Sequence, residues 1–243
     1  MKENNWFDPF YIQSHLNEEE SNIQKNVRDF CNNELKPTVV ERNRKNEFDQ
    51  DLYPKFGSLG VLGQTVKTHG GSGTSNLAYG LVAYEFEKID SSYRSSISVQ
   101  SSLVIHPINE FGSQEQKDKY LPQLIKGEKI GCFGLTESEA GSDPASMKTS
   151  FKKTKDGYIL NGSKNWITNA PIADIFIIWA IEENKDHKSI KGFIIEKNTE
   201  GLNTSTIENK TSLKISPTGQ IILNNVFVPN NLCLENTEGW KSV

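Results

Sequence analysis

Apolar residues recur at helical spacing early in the chain, at Ile23, Val27, Phe30, Cys31 and Leu35, which marks one face of a helix for burial. Asn17 and Glu20 stand just before that run at the spacing of a capping box and place its start. Further helices are predicted around "DLYPKFGSLG", from residue 76 to about 89, through "RSSISVQSSLVI" and within "SQEQKDKYLPQLIKG". The last begins at a second capping pair, Ser113 and Gln116, and stops at Gly127. This half of the chain reads as a helical bundle.

After Lys129 the pattern changes to short runs rich in β-branched and aromatic residues: "KIGCFGLT", "MKTSFKKT", "GYILNGSKNWIT", "DIFIIWAI", "KGFIIEK" and "QIILNNVFV". Gly, Asn and Asp turns separate them, as in an antiparallel sheet or barrel. The expected fold is therefore α+β, with an N-terminal α-helical bundle domain over residues 1–128 and an antiparallel β-barrel-like domain over residues 129–236. No internal repeat and no low-complexity linker interrupts it.

Composition narrows the class. The 243 residues, 35% hydrophobic, can bury a substantial core. Twenty-seven Lys and Arg against 31 Asp and Glu give a net charge of −4 without a basic face, which argues against nucleic acid as a partner. Cys31, Cys132 and Cys233 are too far apart for a zinc site or a disulfide framework, and a reducing compartment suits them. The opening "MKENNWFDPFYIQSHLNEEE" has no apolar h-region, and no stretch approaches the ~20 apolar residues of a membrane span. A cytoplasmic protein is expected; a processed mitochondrial matrix form would read the same.

Several motifs lead nowhere. "THGGSGTSN", residues 68–76, has Asn76 where a dinucleotide fingerprint needs its third glycine, and it follows a helix rather than a strand. It also has no G-x-S-x-G partner to make an esterase of it. His15, His69, His106 and His187 are isolated, which removes the common metal-site spacings. Glu85/Glu87 and Glu182/Glu183 are pairs of the kind that solvent usually covers.

Two segments are left, "CFGLTESEAGSD" and "LNGSKNWITN", each a strand that ends in hydroxyls and small residues. Together they suit a flavin. Main-chain N–H groups and a threonine can satisfy the pyrimidine edge, an indole can lie on the ring face, and a second threonine can reach N5. The alternative is that Trp166 is core and the threonines are strand formers, and periodicity leaves both readings open.

At these residues the chain resembles the acyl-CoA dehydrogenase family, and within it the glutaryl-CoA branch most closely. The resemblance runs from about Trp6 to Trp240 and is carried by "GVLG", "AYGLVAYEFEKIDSSYRSSISVQSSLVIHPI", "KYLPQLIKGEKIGCFGLTE", "GSDP", "LNGSKNWITN" and "GFIIEK". It implies FAD as cofactor, contacted by Phe133, Leu135, Thr136, Gly141, Ser142, Trp166, Ile167 and Thr168. Leu135 and Thr136 would meet the pyrimidine side, Ser142 the phosphate or pantetheine region, and Thr168 the flavin N5. Ser138 departs from the family, which usually has proline there.

The resemblance also implies a substrate pocket. Arg94 would pair with the far carboxylate of the acyl chain, with Glu87, Ser95 and Ser98 completing the polar end and Ser142 touching the thioester ligand. Without the family, Arg94 is a surface arginine on a helix. The implied reaction is oxidative decarboxylation of glutaryl-CoA to crotonyl-CoA, with an electron-transfer flavoprotein as electron acceptor and a homotetramer as assembly. Another short-chain acyl-CoA or a nitroalkane as substrate, and a non-catalytic binding or assembly fragment, are the competing expectations. In the family the general base is a glutamate on a C-terminal helical domain, and by the resemblance that glutamate lies beyond Val243. Residues 237–243, "EGWKSV" among them, match only the start of that domain, so this chain is expected to carry no catalytic base and to be inactive alone.

Overall fold

A computed structural model describes residues 8–237 and 239–243, so the Trp6 end of the resemblance lies outside the described residues. Helix α1, Glu18–Phe30, starts at the expected capping box of Asn17 and Glu20 and runs into a π-helical turn, Cys31–Leu35. It is followed by α2 (Val39–Lys45), α3 (Leu52–Ser58), α4 (Asn76–Glu87) and α5 (Ser91–Ser98). A second π-helical stretch, Val99–Ile105, joins α5 to α6 (His106–Phe111). Helix α7, Gln114–Ile125, begins at the capping box of Ser113 and Gln116. Gly127 then takes φ 71°, where a Cβ would lie 2.1 Å from the Tyr53 carbonyl, so glycine is required at this helix exit.

Seven strands follow: β1 (Gly131–Gly134), β2 (Ser150–Lys153), β3 (Gly157–Thr168), β4 (Ile175–Glu182), β5 (Lys191–Glu196), β6 (Leu202–Thr206) and β7 (Thr218–Pro229). They form one curled sheet in the order β1-β4-β2-β3-β7-β6, with β5 on the other side of β4. The sheet is mixed rather than purely antiparallel, because β1 and β2 both run parallel to β4. The remaining pairings are antiparallel. Both parallel partners reach β4 through long connections, as parallel pairs must.

Strand β4 is apolar at almost every position because it is buried on both faces. Ile175, Ile177 and Trp179 pack into the core shared with the helices, while Phe176, Ile178 and Ala180 pack into a second core inside the curl. One core therefore crosses from helices to sheet. Gln100, buried in the π-helical stretch, reinforces the junction: its amide donates to the Leu124 and Lys129 carbonyls (3.0 and 2.8 Å) and accepts from the Gly131 N–H at 2.8 Å. The three cysteines are free and buried. Among the described residues no helix is long and apolar enough to cross a membrane.

Candidate functional site

Strand β1 delivers the chain to the first of the two segments. Beyond Gly134, residues 135–136 leave the sheet, and Glu137 and Ala140 then exchange backbone hydrogen bonds of 3.1 and 3.2 Å across a tight turn. Beneath that turn lies Lys164 of β3, whose side chain is fully buried. Its ammonium donates to the Leu135 carbonyl (2.9 Å) and to Glu137 Oε1 (2.8 Å) and rests 3.8 Å from Met147 Sδ. Glu137 also accepts the Lys148 N–H (2.7 Å) and the Thr149 N–H (2.9 Å), so one carboxylate ties the loop at both ends.

The electrostatics follow from burial. Burial pushes the Glu137 carboxyl up, but the Lys164 ammonium and the hydrogen bonds from residues 148 and 149 outweigh it and hold the group below its ordinary range. Burial also pulls Lys164 down to about 8, against the opposing pull of Glu137. The pair is therefore ionised at neutral pH, and Glu137 makes a poor proton acceptor.

The peptide bonds around Thr136 are fixed by this arrangement. The Leu135 carbonyl points down to Lys164, and in a trans peptide the Thr136 N–H points the opposite way. The Thr136 carbonyl is taken by the Asn165 N–H at 2.8 Å. Neither the Thr136 N–H nor its hydroxyl has a partner among the described residues, although the residue is half-buried. Two donors of one residue are thus left open.

The second segment is shaped by a bulge. In β3, Tyr158, Leu160 and Lys164 share the inward phase, which would carry Trp166 inward as well. The register with β7 shifts between Lys164 and Ile167, and Trp166 takes φ 61°, which turns its ring outward to 58% exposure. A left-handed backbone at a bulky residue is a cost that the surrounding sheet imposes. Thr168 is half-buried, and its hydroxyl has no hydrogen-bond partner among the described residues. Asn169, at φ 70°, is buried and donates to the Tyr53 hydroxyl (2.7 Å) and the Gly131 carbonyl (3.1 Å), locking the end of this segment to α3 and β1.

Trp166 and Thr168 open onto a cavity of about 260 Å³ whose other wall is the loop of residues 210–213 together with Thr218. That loop is held by Lys210, whose ammonium donates to the Leu213 carbonyl (2.8 Å), the Thr218 hydroxyl (2.9 Å) and the Ser216 carbonyl. Leu213 itself sits at φ 50°.

The other expected cofactor residues are placed as follows. Phe133 is half-buried and meets Trp179 edge-on at 6.2 Å. Gly141 and Ser142 are exposed, and a Cβ at Gly141 would meet nothing within 4 Å, so a ligand has room to approach. Ile167 is buried in the inner core, which leaves only its backbone for contact. The open donors at Thr136, the free Thr168 hydroxyl and the outward indole fit the edge and face of a flavin ring.

Arg94, Ser95 and Ser98 share the half-buried face of α5, which Asp90 caps by accepting the Ser92 N–H. Arg94 Nε donates to Glu87 Oε2 at 2.8 Å, with side-chain exposures of 35% and 46%. Ser91 also donates to Glu87. The Ser91 hydroxyl and Arg94 together hold the Glu87 carboxyl below its ordinary range. The terminal guanidinium nitrogens of Arg94 take no partner among the described residues. The start of α5 lies near the second segment through a chain of rings: Tyr93 to Phe48 at 6.3 Å, Phe48 to Tyr53 at 5.8 Å, and Tyr53 to Asn169 by its hydroxyl. The cavity at Trp166 is not lined by Arg94, Thr136 or Ser142.

At the other end of the chain a short 3-10 turn, Gly239–Ser242, leads to Val243, whose side chain is exposed. The glutamate expected beyond Val243 lies outside the described residues.

Sequence reasoning passed over Lys164 and Lys210. The signal for Lys164 was its phase: a lysine in step with Tyr158 and Leu160 on the inward face of a strand has to find a buried partner. Lys210 left no such mark. Among the described residues no group of three or more His, Cys, Asp or Glu side chains could hold a metal ion.

Known proteins share this fold. Residues 17–128 match the acyl-CoA dehydrogenase N-terminal domain, and residues 132–226 match the acyl-CoA dehydrogenase middle domain. The chain belongs to the acyl-CoA dehydrogenase family. A glutaryl-CoA dehydrogenase from Mycobacterium smegmatis, solved in complex with FADH2, superposes with a TM-score of 0.93 at 39% identity, over 96% of this chain and 59% of that one. Butyryl-CoA dehydrogenase from Megasphaera elsdenii gives a TM-score of 0.86 at 36% identity, over 92% of this chain and 60% of that one. A short-chain-specific acyl-CoA dehydrogenase of Clostridium acetobutylicum is 37% identical over 88% of this chain and 57% of its own length. The chain thus spans about three-fifths of the length of these relatives.

Proposed function

We propose that this chain seats FAD between residues 133–142 and 166–168 and serves an acyl-CoA dehydrogenase whose substrate is glutaryl-CoA. The observation that carries the flavin reading is Thr136, with its N–H and hydroxyl both unpartnered on a backbone fixed from either side. Thr136 and Leu135 would hold the pyrimidine edge, Trp166 would cover a ring face, Thr168 would donate towards N5, and Gly141 and Ser142 would admit the phosphates. FAD, when bound, supplies the acceptor for the hydride that leaves the acyl Cβ.

The glutaryl reading rests on Arg94. Its free terminal nitrogens form a fork that matches a carboxylate, and Glu87 steadies the guanidinium through Nε. Ser95 and Ser98 lie on the same helix face and add hydroxyls at the polar end. After the Cα proton and the Cβ hydride have left, a carboxylate held there would depart as CO2, and the electron pair of the broken C–C bond would take up a proton at Cγ to give crotonyl-CoA. The short-chain relatives favour a second substrate reading, a neutral acyl-CoA of similar length, which would offer the outer nitrogens of Arg94 no carboxylate. Reoxidation by an electron-transfer flavoprotein, a homotetrameric whole protein, and a cytoplasmic or mitochondrial-matrix location belong to the same proposal.

The test is Thr168→Val in the whole protein, followed by stopped-flow bleaching of the flavin. Losing the hydroxyl is expected to slow reduction by about one to two orders of magnitude, somewhat less than the loss of an oxyanion-hole donor. An unchanged rate would remove Thr168 from the site.

A further inference from the structure

We infer that Lys164 is a positioning residue for the flavin, its buried ammonium setting the orientation of the residue 135–136 peptide so that the Thr136 donors face the cofactor. The inference rests on the flavin reading above. Three observations carry it.

First, the direct bonds of the ammonium converge on one short segment. Lys164 Nζ holds the Leu135 carbonyl and the Glu137 carboxylate, at 2.9 and 2.8 Å, and its remaining neighbour is a thioether at 3.8 Å. The Asn165 N–H holds the next carbonyl, that of Thr136. Both peptide planes flanking Thr136 are therefore fixed from β3, and the unclaimed N–H of that residue is turned away from the ammonium.

Second, the site is built around the lysine stem. Gly134 leaves the space it occupies: a Cβ there would lie 3.3 Å from Lys164 Cγ and 2.6 Å from Ile178 Cδ1. The position is on the inward phase of β3 with Tyr158 and Leu160, where an apolar side chain would pack without any desolvation cost. A buried ion pair contributes little net stability compared with such packing, so its geometric consequence is the better account of its presence.

Third, the same strand presents the other wall. Lys164 lies two residues before Trp166, and the register shift that turns the indole outward begins at Lys164. One residue thus ties the pyrimidine-side loop to the ring-face strand, and the spacing between the two walls depends on it.

Lys164→Met alone would strand the buried Glu137 carboxylate, so the informative variant is Lys164→Met combined with Glu137→Gln, which removes both charges. The full chain would be compared with this double variant by thermal unfolding, by hydrogen exchange across residues 134–140, and by FAD titration followed in the flavin absorption band. The double variant is expected to fold with a similar melting temperature, to exchange faster across that segment, and to bind FAD about tenfold more weakly or worse, because a misdirected donor forfeits its bond. Unchanged FAD affinity in the folded variant would overturn the inference, as would unchanged exchange across residues 134–140. A double variant that does not fold would assign the pair to the stability of the sheet and overturn it too. If the unsubstituted chain takes up no FAD, the flavin reading itself fails and this role with it, while the exchange result still reports whether Lys164 holds the loop.

Discussion

Replacing Arg94 by glutamine is expected to lower turnover of glutaryl-CoA by about two to four orders of magnitude in the whole protein, while a neutral acyl-CoA of similar length is almost unaffected. The Arg94 side chain is about one-third exposed and, among the described residues, is engaged only through Nε with Glu87, so its outer fork is open to a carboxylate. If acyl-CoA closes over that face as proposed, the charge pair would be desolvated, and removing one partner would leave the substrate carboxylate buried without a counter-charge. Glutamine keeps a hydrogen-bond donor but loses the charge and the fork. Only the dicarboxylate has a charge to strand, so the ratio of kcat/KM for glutaryl-CoA to that for butyryl-CoA is the measurement. Equal losses on both substrates would make Arg94 a structural residue and favour the short-chain reading.

The second large effect concerns the base. Residues 1–243 expressed by themselves, given glutaryl-CoA, excess FAD and an artificial electron acceptor, are expected to turn over about 10² to 10⁴ times more slowly than a complete family member. Glu137 of the proposed flavin loop and Glu87 beside Arg94 are both committed elsewhere. Glu137 accepts from Lys164, Lys148 and Thr149, and that set holds it ionised as a loop tie. Glu87 accepts from Ser91 and Arg94. Abstraction of the α-proton needs a carboxylate free to turn to the substrate, and neither of these is. Turnover comparable to a complete relative would contradict this, and Glu87→Gln would be the first variant to make.

Much of the fold is legible in the sequence because burial follows period. Both capping boxes are signalled by their residue spacing, and the apolar run of β4 is legible as a strand. Helix α2 and strand β6 are not: α2 buries none of its residues, and β6 is largely exposed, so neither carries an apolar pattern. Strand direction is a tertiary property, and the parallel placement of β1 and β2 on β4 has no local signal.

The candidate site divides in the same way. Composition marks "CFGLTESEAGSD" and "LNGSKNWITN" as polar strand ends, and the family resemblance assigns them a flavin. What makes the segments usable is register. A bulge after Lys164 reverses the phase of Trp166, and an ion pair between residues 27 positions apart in sequence sets the Thr136 peptide. Alternation alone would have put Trp166 inside.

The central claim, that these two segments seat a flavin, is tested most directly by titrating FAD into the purified chain and following the flavin absorption band, with Trp166→Ala alongside. A saturable shift at one FAD per chain, weakened in Trp166→Ala because the ring loses its stacking face, is the expected result. No saturable shift, or one that is identical in the variant, would contradict the account.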